Sequence, residues 1–122
     1  MRVLLSINPQ YADKIFSGEK IYEYRRNIFK NTDVKIVLVY ATSPIKKIIG
    51  EFYIEKIVKD SPENLWELSP EKTGIERDKF DKYFLGKKEG YAIKIGKMRK
   101  YHLFKELKDF GINQAPQSFQ YV

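Results

Sequence analysis

Ser17 to Arg26 reads Ser-Gly-Glu-Lys-Ile-Tyr-Glu-Tyr-Arg-Arg, packing charges and aromatic rings into ten residues. An amine and a carboxylate three positions apart, Lys20 and Glu23, form an acid–base pair wherever both reach one ligand. If Ile21–Arg26 is a strand, its side chains alternate. Glu23 and Arg25 then share one face, and Tyr22, Tyr24 and Arg26 the other. A Glu beside an Arg holds the guanidinium ready for an anion or a base edge, or else only braces the strand. Tyr22 or Tyr24 could stack on a base, although strands favour aromatics for packing alone.

The remaining chemistry is scattered. Thr42-Ser43-Pro44 closes a strand, and its hydroxyls either meet a phosphate or simply form a turn. Gln117, Ser118 and Tyr121 sit on an aromatic-rich tail that either reaches the site or closes a sheet edge. Lys46-Lys47 and Lys97-Met98-Arg99-Lys100 are basic runs that could follow a phosphate backbone or be solvated faces. His102 is the only histidine and there is no cysteine, so neither a histidine- or cysteine-based metal site nor a thiolate nucleophile is expected. Gly18-Glu19-Lys20-Ile21 lacks the upstream glycine and following Ser or Thr of a phosphate-binding loop. No cofactor is expected. Trp66 reads as a core anchor.

These groups need a scaffold. Val3–Ile7 reads as a buried first strand. Asn8 then Pro9 is a helix start, with Tyr11, Ala12, Ile15 and Phe16 at helical spacing and Gly18 as the stop. Strands are expected at Ile21–Arg26, at Lys35–Ala41 in a central position, and at Lys46–Val58 with a bend at Gly50. Ser61-Pro62 and Ser69-Pro70 both read as helix starts, and Phe80, Tyr83 and Phe84 as a packed helical face. Gly90–Gly96 alternates like a half-buried strand. Leu103, Phe104, Leu107 and Phe110 suggest a short helix ended by Gly111. Pro116–Val122 is expected as an extended tail or last strand. Five to six strands with short flanking helices give an α+β fold, accommodated by one sheet curled into a pseudo-barrel.

The bulk numbers agree. The 122 residues suit one domain spanning 1–122, and 43% hydrophobic with 15% aromatic residues suffices for one core. The net charge of +7 favours acidic partners such as RNA or a nucleotide, or serves solubility alone. No apolar run approaches membrane-spanning length. The opening Met1–Leu5 is too short for a secretory signal, and the expected compartment is cytoplasmic.

Gly18-x-Lys20-x-x-Glu23-x-Arg25 resembles the signature of the ASCH domain, a branch of the PUA-like superfamily. The preceding Leu4-Leu5-Ser6-Ile7-x-Pro9-x-Tyr11-Ala12-x-Lys14-Ile15 is similar to that family's first strand and helix. Ala41-Thr42-Ser43-Pro44 with Ile49-Gly50-Glu51-Phe52 resembles its third and fourth strands, and Pro116–Tyr121 the tail of a small subgroup. The middle insert matches little. The resemblance implies a PUA-like β-barrel with a cleft beside the signature, holding RNA or a modified nucleoside. Some family members look like RNA binders or coregulators, others like nucleases. One group deacylates N4-acetylcytidine through a Lys, a Thr and a distant Glu. Here Lys20 matches the lysine, but Glu23 occupies the threonine position, so that hydroxyl nucleophile is missing.

The expected function is therefore recognition of RNA or a nucleobase ligand in a basic cleft lined by Lys20, Tyr22, Glu23, Arg25, Arg26, Ser43, Gln117 and Ser118. The alternative is an enzyme on RNA or a modified nucleoside, of amidohydrolase or ribonuclease type, with Lys20 and Glu23 as acid and base. A protein partner is a third reading.

Overall fold

Val3, Leu4, Leu5 and Ile7 have almost no solvent contact, which is why the first strand reads as a continuous apolar run rather than an alternating one. The computed structural model describes residues 1–122. Its elements are β1 (Arg2–Ile7), α1 (Pro9–Ser17), β2 (Tyr22–Arg25), β3 (Ile36–Ala41), β4 (Lys47–Asp60), α2 (Pro62–Glu67), α3 (Arg77–Tyr83), β5 (Gly90–Lys105), a 3-10 turn at Leu107–Phe110 and β6 (Phe119–Tyr121). One six-stranded sheet has the order β2-β5-β4-β3-β1-β6, with β1 parallel to β3 and the other pairs antiparallel. It curls into a half-barrel, the α+β architecture expected.

The two faces of β1 serve two clusters. Val3, Leu5 and Ile7 join Val37, Val39 and Ala41 against Ala12 and Ile15 of α1. Leu4 faces the other way, onto Leu38, Tyr40, Ile48 and Tyr101 under the 3-10 turn. A third cluster gathers Tyr22 and Tyr24 of β2 with Leu65, Phe80 and Phe84 of α2 and α3. There Trp66 packs edge-on to Phe80 at 5.0 Å.

Helix α1 forms as its caps dictate: the Asn8 side chain accepts from the Gln10 N–H, and Gly18 closes the helix at φ 84°. Gly50 lies beside a register shift in β4, and a Cβ there would come within 2.5 Å of the Phe16 ring and 2.7 Å of the Arg99 carbonyl.

One expected helix does not form and another is shortened. Ser69-Pro70 starts only turns, and the next helix begins at Arg77. The short helix expected over Leu103–Phe110 is reduced to the 3-10 turn Leu107–Phe110, ended by Gly111 as expected, while Leu103 and Phe104 belong to the end of β5, whose residues pair with β4 as far as Ile48 opposite Lys105. The i, i+3, i+4 spacing misleads because Leu103 is 78% exposed and Phe104 45%, so only Leu107 and Phe110 pack. Ladder pairing with β4 overrides local periodicity.

Candidate functional site

Strand β2 is an edge of the sheet, paired only with β5. Its other side faces the end of β1 and the start of α1 across a cavity of about 220 Å³. Ser6, Asn8 and Tyr11 line one wall, Lys20, Glu23, Tyr24 and Arg25 the second. Ile75, Phe80 and Tyr83, all from the insert between β4 and β5, supply the third.

Lys20 is 3% exposed. Its Nζ donates to the Thr73 carbonyl at 3.2 Å, lies 3.9 Å from Glu23 Oε1, and sits 4.3 Å from the centre of the Tyr24 ring. Burial lowers its pKa to about 8, with Lys14 pushing the same way and the Glu23 carboxylate opposing. The loop Thr73–Ile75 does the burying. Gly74, at φ 68°, lies directly on the lysine stem, and a Cβ there would fall 2.5 Å from Lys20 Cβ.

Glu23 is 6% exposed and accepts from Arg25 at 3.2 Å. Arg25 makes four hydrogen bonds: through Nη1 to Glu23 and the Ser6 carbonyl at 3.3 Å, and through Nη2 to the Ser118 carbonyl at 3.0 Å and Ser118 Oγ at 3.1 Å. The arginine thus ties the β2 edge to the segment leading into β6 at the opposite edge. Most of its donor fork is spent inside the protein, so it orients Glu23 and closes the sheet rather than reaching out for an anion.

Tyr24 has a buried hydroxyl with no hydrogen-bond partner in the protein. Burial, with Tyr22 and Glu23 nearby, pushes its pKa well up and keeps it neutral. An unpaired buried hydroxyl costs free energy unless a ligand meets it.

Of the expected site residues, Lys20, Glu23, Arg25 and Ser118 converge. Tyr22 packs in the third cluster and does not line the cavity. Ser43 is exposed in the turn Thr42–Lys46 and does not line the cavity. Gln117 is exposed and does not line the cavity, whereas Ser118 beside it bonds Arg25. Arg26 lines a neighbouring hollow instead. Asn8, Tyr11, Thr73, Ile75, Phe80 and Tyr83 were not foreseen as site residues. Asn8, Tyr11, Phe80 and Tyr83 lie in stretches whose pattern singled them out, but there as helix signals, and Thr73 and Ile75 carry no such signal.

The chain aligns over 98% of its length with the large ribosomal subunit protein uL22 of Ureaplasma parvum at 29% identity, but spans only 39% of that protein. It aligns over 98% with an ASCH domain-containing ribonuclease of Zymomonas mobilis at 30% identity, spanning 82% of it. The crystal structure of the ASCH protein from Zymomonas mobilis superposes with a TM-score of 0.88 at 27% identity, covering 99% of this chain and 87% of that one. The family model for the ASCH domain matches residues 5–99, a span that runs from the second half of β1 through every cavity-lining residue and into β5, and the chain belongs to the ASCH domain family.

Proposed function

We propose that the chain acts on RNA, taking one unstacked base into the cavity and using Lys20 as a proton-transfer group. The observation that carries this is Lys20 itself: a buried amine held between a carboxylate and an aromatic ring, with its pKa lowered toward neutrality. Burial of that kind is a cost with no structural return, and perturbed groups in clefts concentrate at functional sites. The cavity is smaller than the roughly 300–1,000 Å³ of drug-sized pockets, a size for one ring system rather than an oligomer. RNA is commonly read through splayed single bases. The ribonuclease name of the Zymomonas relative supports the same reading.

In this reading, neutral Lys20 takes the proton of a ribose 2′-hydroxyl. The 2′-oxygen forms a bond to the adjacent phosphorus, the bond to the 5′-oxygen breaks, and that oxygen takes a proton from solvent. Glu23, held by Arg25, keeps the amine in place. A base reader without chemistry is the second reading, favoured by how completely Arg25 and Glu23 are tied to each other.

Mass spectrometry of single-stranded RNA after incubation separates them. Cleavage predicts 2′,3′-cyclic phosphate ends, a rate rising with pH to a plateau above about 8, and a loss of about 10²–10⁴ in Lys20→Arg, which cannot deprotonate. Tight binding without products supports the reader. Neither binding nor products rejects both.

A further inference from the structure

We infer that the RNA strand leaving the cavity runs over a second, cationic hollow formed by the end of β2 and the turn before β5, which holds the phosphates of the neighbouring nucleotides. This rests on the proposed action on RNA and adds a path to it. The hollow, of about 310 Å³, is lined by Arg26, Asn27, Lys59, Lys87, Lys88 and Glu89, with Gly86 and Tyr91. Four cations there face one carboxylate, and that carboxylate lies 3.9 Å from Lys59. No acidic side chain is left to neutralise Arg26, Lys87 or Lys88.

Two features make it a continuation of the cavity rather than an isolated patch. Tyr83 lines the cavity, and its hydroxyl accepts from the backbone N–H of Arg26, which lines the hollow, at 3.1 Å, so the two spaces are joined through one hydrogen bond. Arg25 and Arg26 are consecutive, Arg25 ending β2 at the cavity and Arg26 opening the bend that lines the hollow. The turn is built to face this way. Gly86 adopts φ 82°, which folds the chain back so that Lys87 Nζ donates to Asn27 Oδ1 at 3.4 Å.

An anionic chain is the occupant that this chemistry fits. The walls offer ammonium and guanidinium donors, and the hollow is open and largely polar, unlike the aromatic cavity beside it. A phosphodiester whose base is buried in the cavity must leave its flanking phosphates outside, and this is the adjoining cationic surface. Lysines act there as point charges, which suits sequence-independent tracking of a backbone.

The test is fluorescence anisotropy with a labelled single-stranded hexaribonucleotide across a salt series. It compares wild type, Lys87→Gln/Lys88→Gln, and the control Lys97→Gln/Lys100→Gln. The control pair removes the same charge, and Lys100 lies roughly 30 Å along β5 from Tyr91. The expected result is about tenfold weaker binding for the Lys87/Lys88 variant and a log–log salt slope shallower by about 1.4, two phosphate contacts at about 0.7 each. The control should keep the wild-type slope, and melting temperatures should agree, since Lys88 is exposed and half-buried Lys87 makes only a long 3.4 Å bond to Asn27. An unchanged slope for Lys87→Gln/Lys88→Gln, or an equal loss in the control, overturns the path while leaving the cavity reading intact. Failure of wild type to bind or cleave RNA at any salt overturns both. Equal loss of binding to a polyglutamate peptide would reassign the hollow to an acidic protein and overturn the strand path.

Discussion

Lys20 carries the largest conflict between stability and chemistry in this chain. Its pKa of about 8 in the fold, against 10.5 when unperturbed, means the folded state resists the charged form. The unfolded chain keeps the proton between those values and the folded chain releases it, so stability rises with pH from about 8 upward. The full difference is worth about 3 kcal/mol. Tyr24 and Tyr101, both with raised pKa values, start to oppose the trend above their ordinary value of 10, so the clean window is pH 8 to 10. Lys20→Met is therefore expected to melt several degrees higher than wild type at pH 7 and to lose the rise across that window, while losing RNA cleavage. Thermal melts at a series of pH values check this. A lower melting point for Lys20→Met at pH 7 would mean that the Thr73 and Glu23 contacts outweigh the burial cost. The closeness of Lys20 to Glu23 was legible from their spacing. The burial that tunes the amine was not, because the groups responsible lie more than fifty residues away.

The insert between β4 and β5 shows what a pattern search loses by passing over a poorly matching segment. Two short helices and their loops there supply the third wall of the cavity, the carbonyl that accepts from Lys20, and the aromatic cluster beneath Tyr24. The helix at Ser61-Pro62 was readable from its cap, since the Ser61 hydroxyl accepts from the Asn64 N–H. Ser69-Pro70 offered the same two residues without forming a helix. The loop that matters carries no signal except a glycine. Gly74 is demanding on two counts, its positive φ and the missing space for a Cβ. Gly74→Ala should cost about 1–2 kcal/mol of stability, combining an αL penalty with displacement of a packed stem. It should also lift the loop from Lys20, returning water to the amine and moving the pH limb of cleavage above 8. Denaturant midpoints and a pH–rate profile measure the two effects. Lost stability with an unmoved limb would mean that burial by this loop is not what lowers the lysine pKa.

At the scale of the whole molecule, a six-stranded sheet that curls without full closure has two edges to manage, here β2 and β6. The strands themselves were largely legible, because apolar runs and alternation mark them. The closure was not, because it depends on one side chain reaching across ninety-three positions of sequence. Arg25 spans the gap, giving Ser118 two hydrogen bonds and the Ser6 carbonyl a third. Ser6 reinforces the seam by donating to the Pro116 carbonyl at 2.7 Å, and the Tyr121 hydroxyl accepts from the Lys30 and Asn31 N–H groups. Spacing leaves Arg25 either held out for a ligand or bracing the strand, and its four hydrogen bonds within the protein make it a clasp across the sheet. Lysine at this position keeps the charge but not the planar fork, so it can serve Glu23 or the tail, not both. Hydrogen bonds from charged donors contribute about 1.5–3 kcal/mol each, and losing two of four with partial compensation should cost about 2–4 kcal/mol. Arg25→Lys is thus expected to unfold at distinctly lower denaturant, whereas Arg26→Lys, exposed and outside the seam, should stay within about 0.5 kcal/mol of wild type. Hydrogen exchange locates the effect: amides of β6 and of β2 should lose protection in Arg25→Lys, while β3, paired on both sides within the sheet, keeps it. A variant that holds wild-type stability and protection but fails to bind RNA would return Arg25 to the ligand side of the cavity.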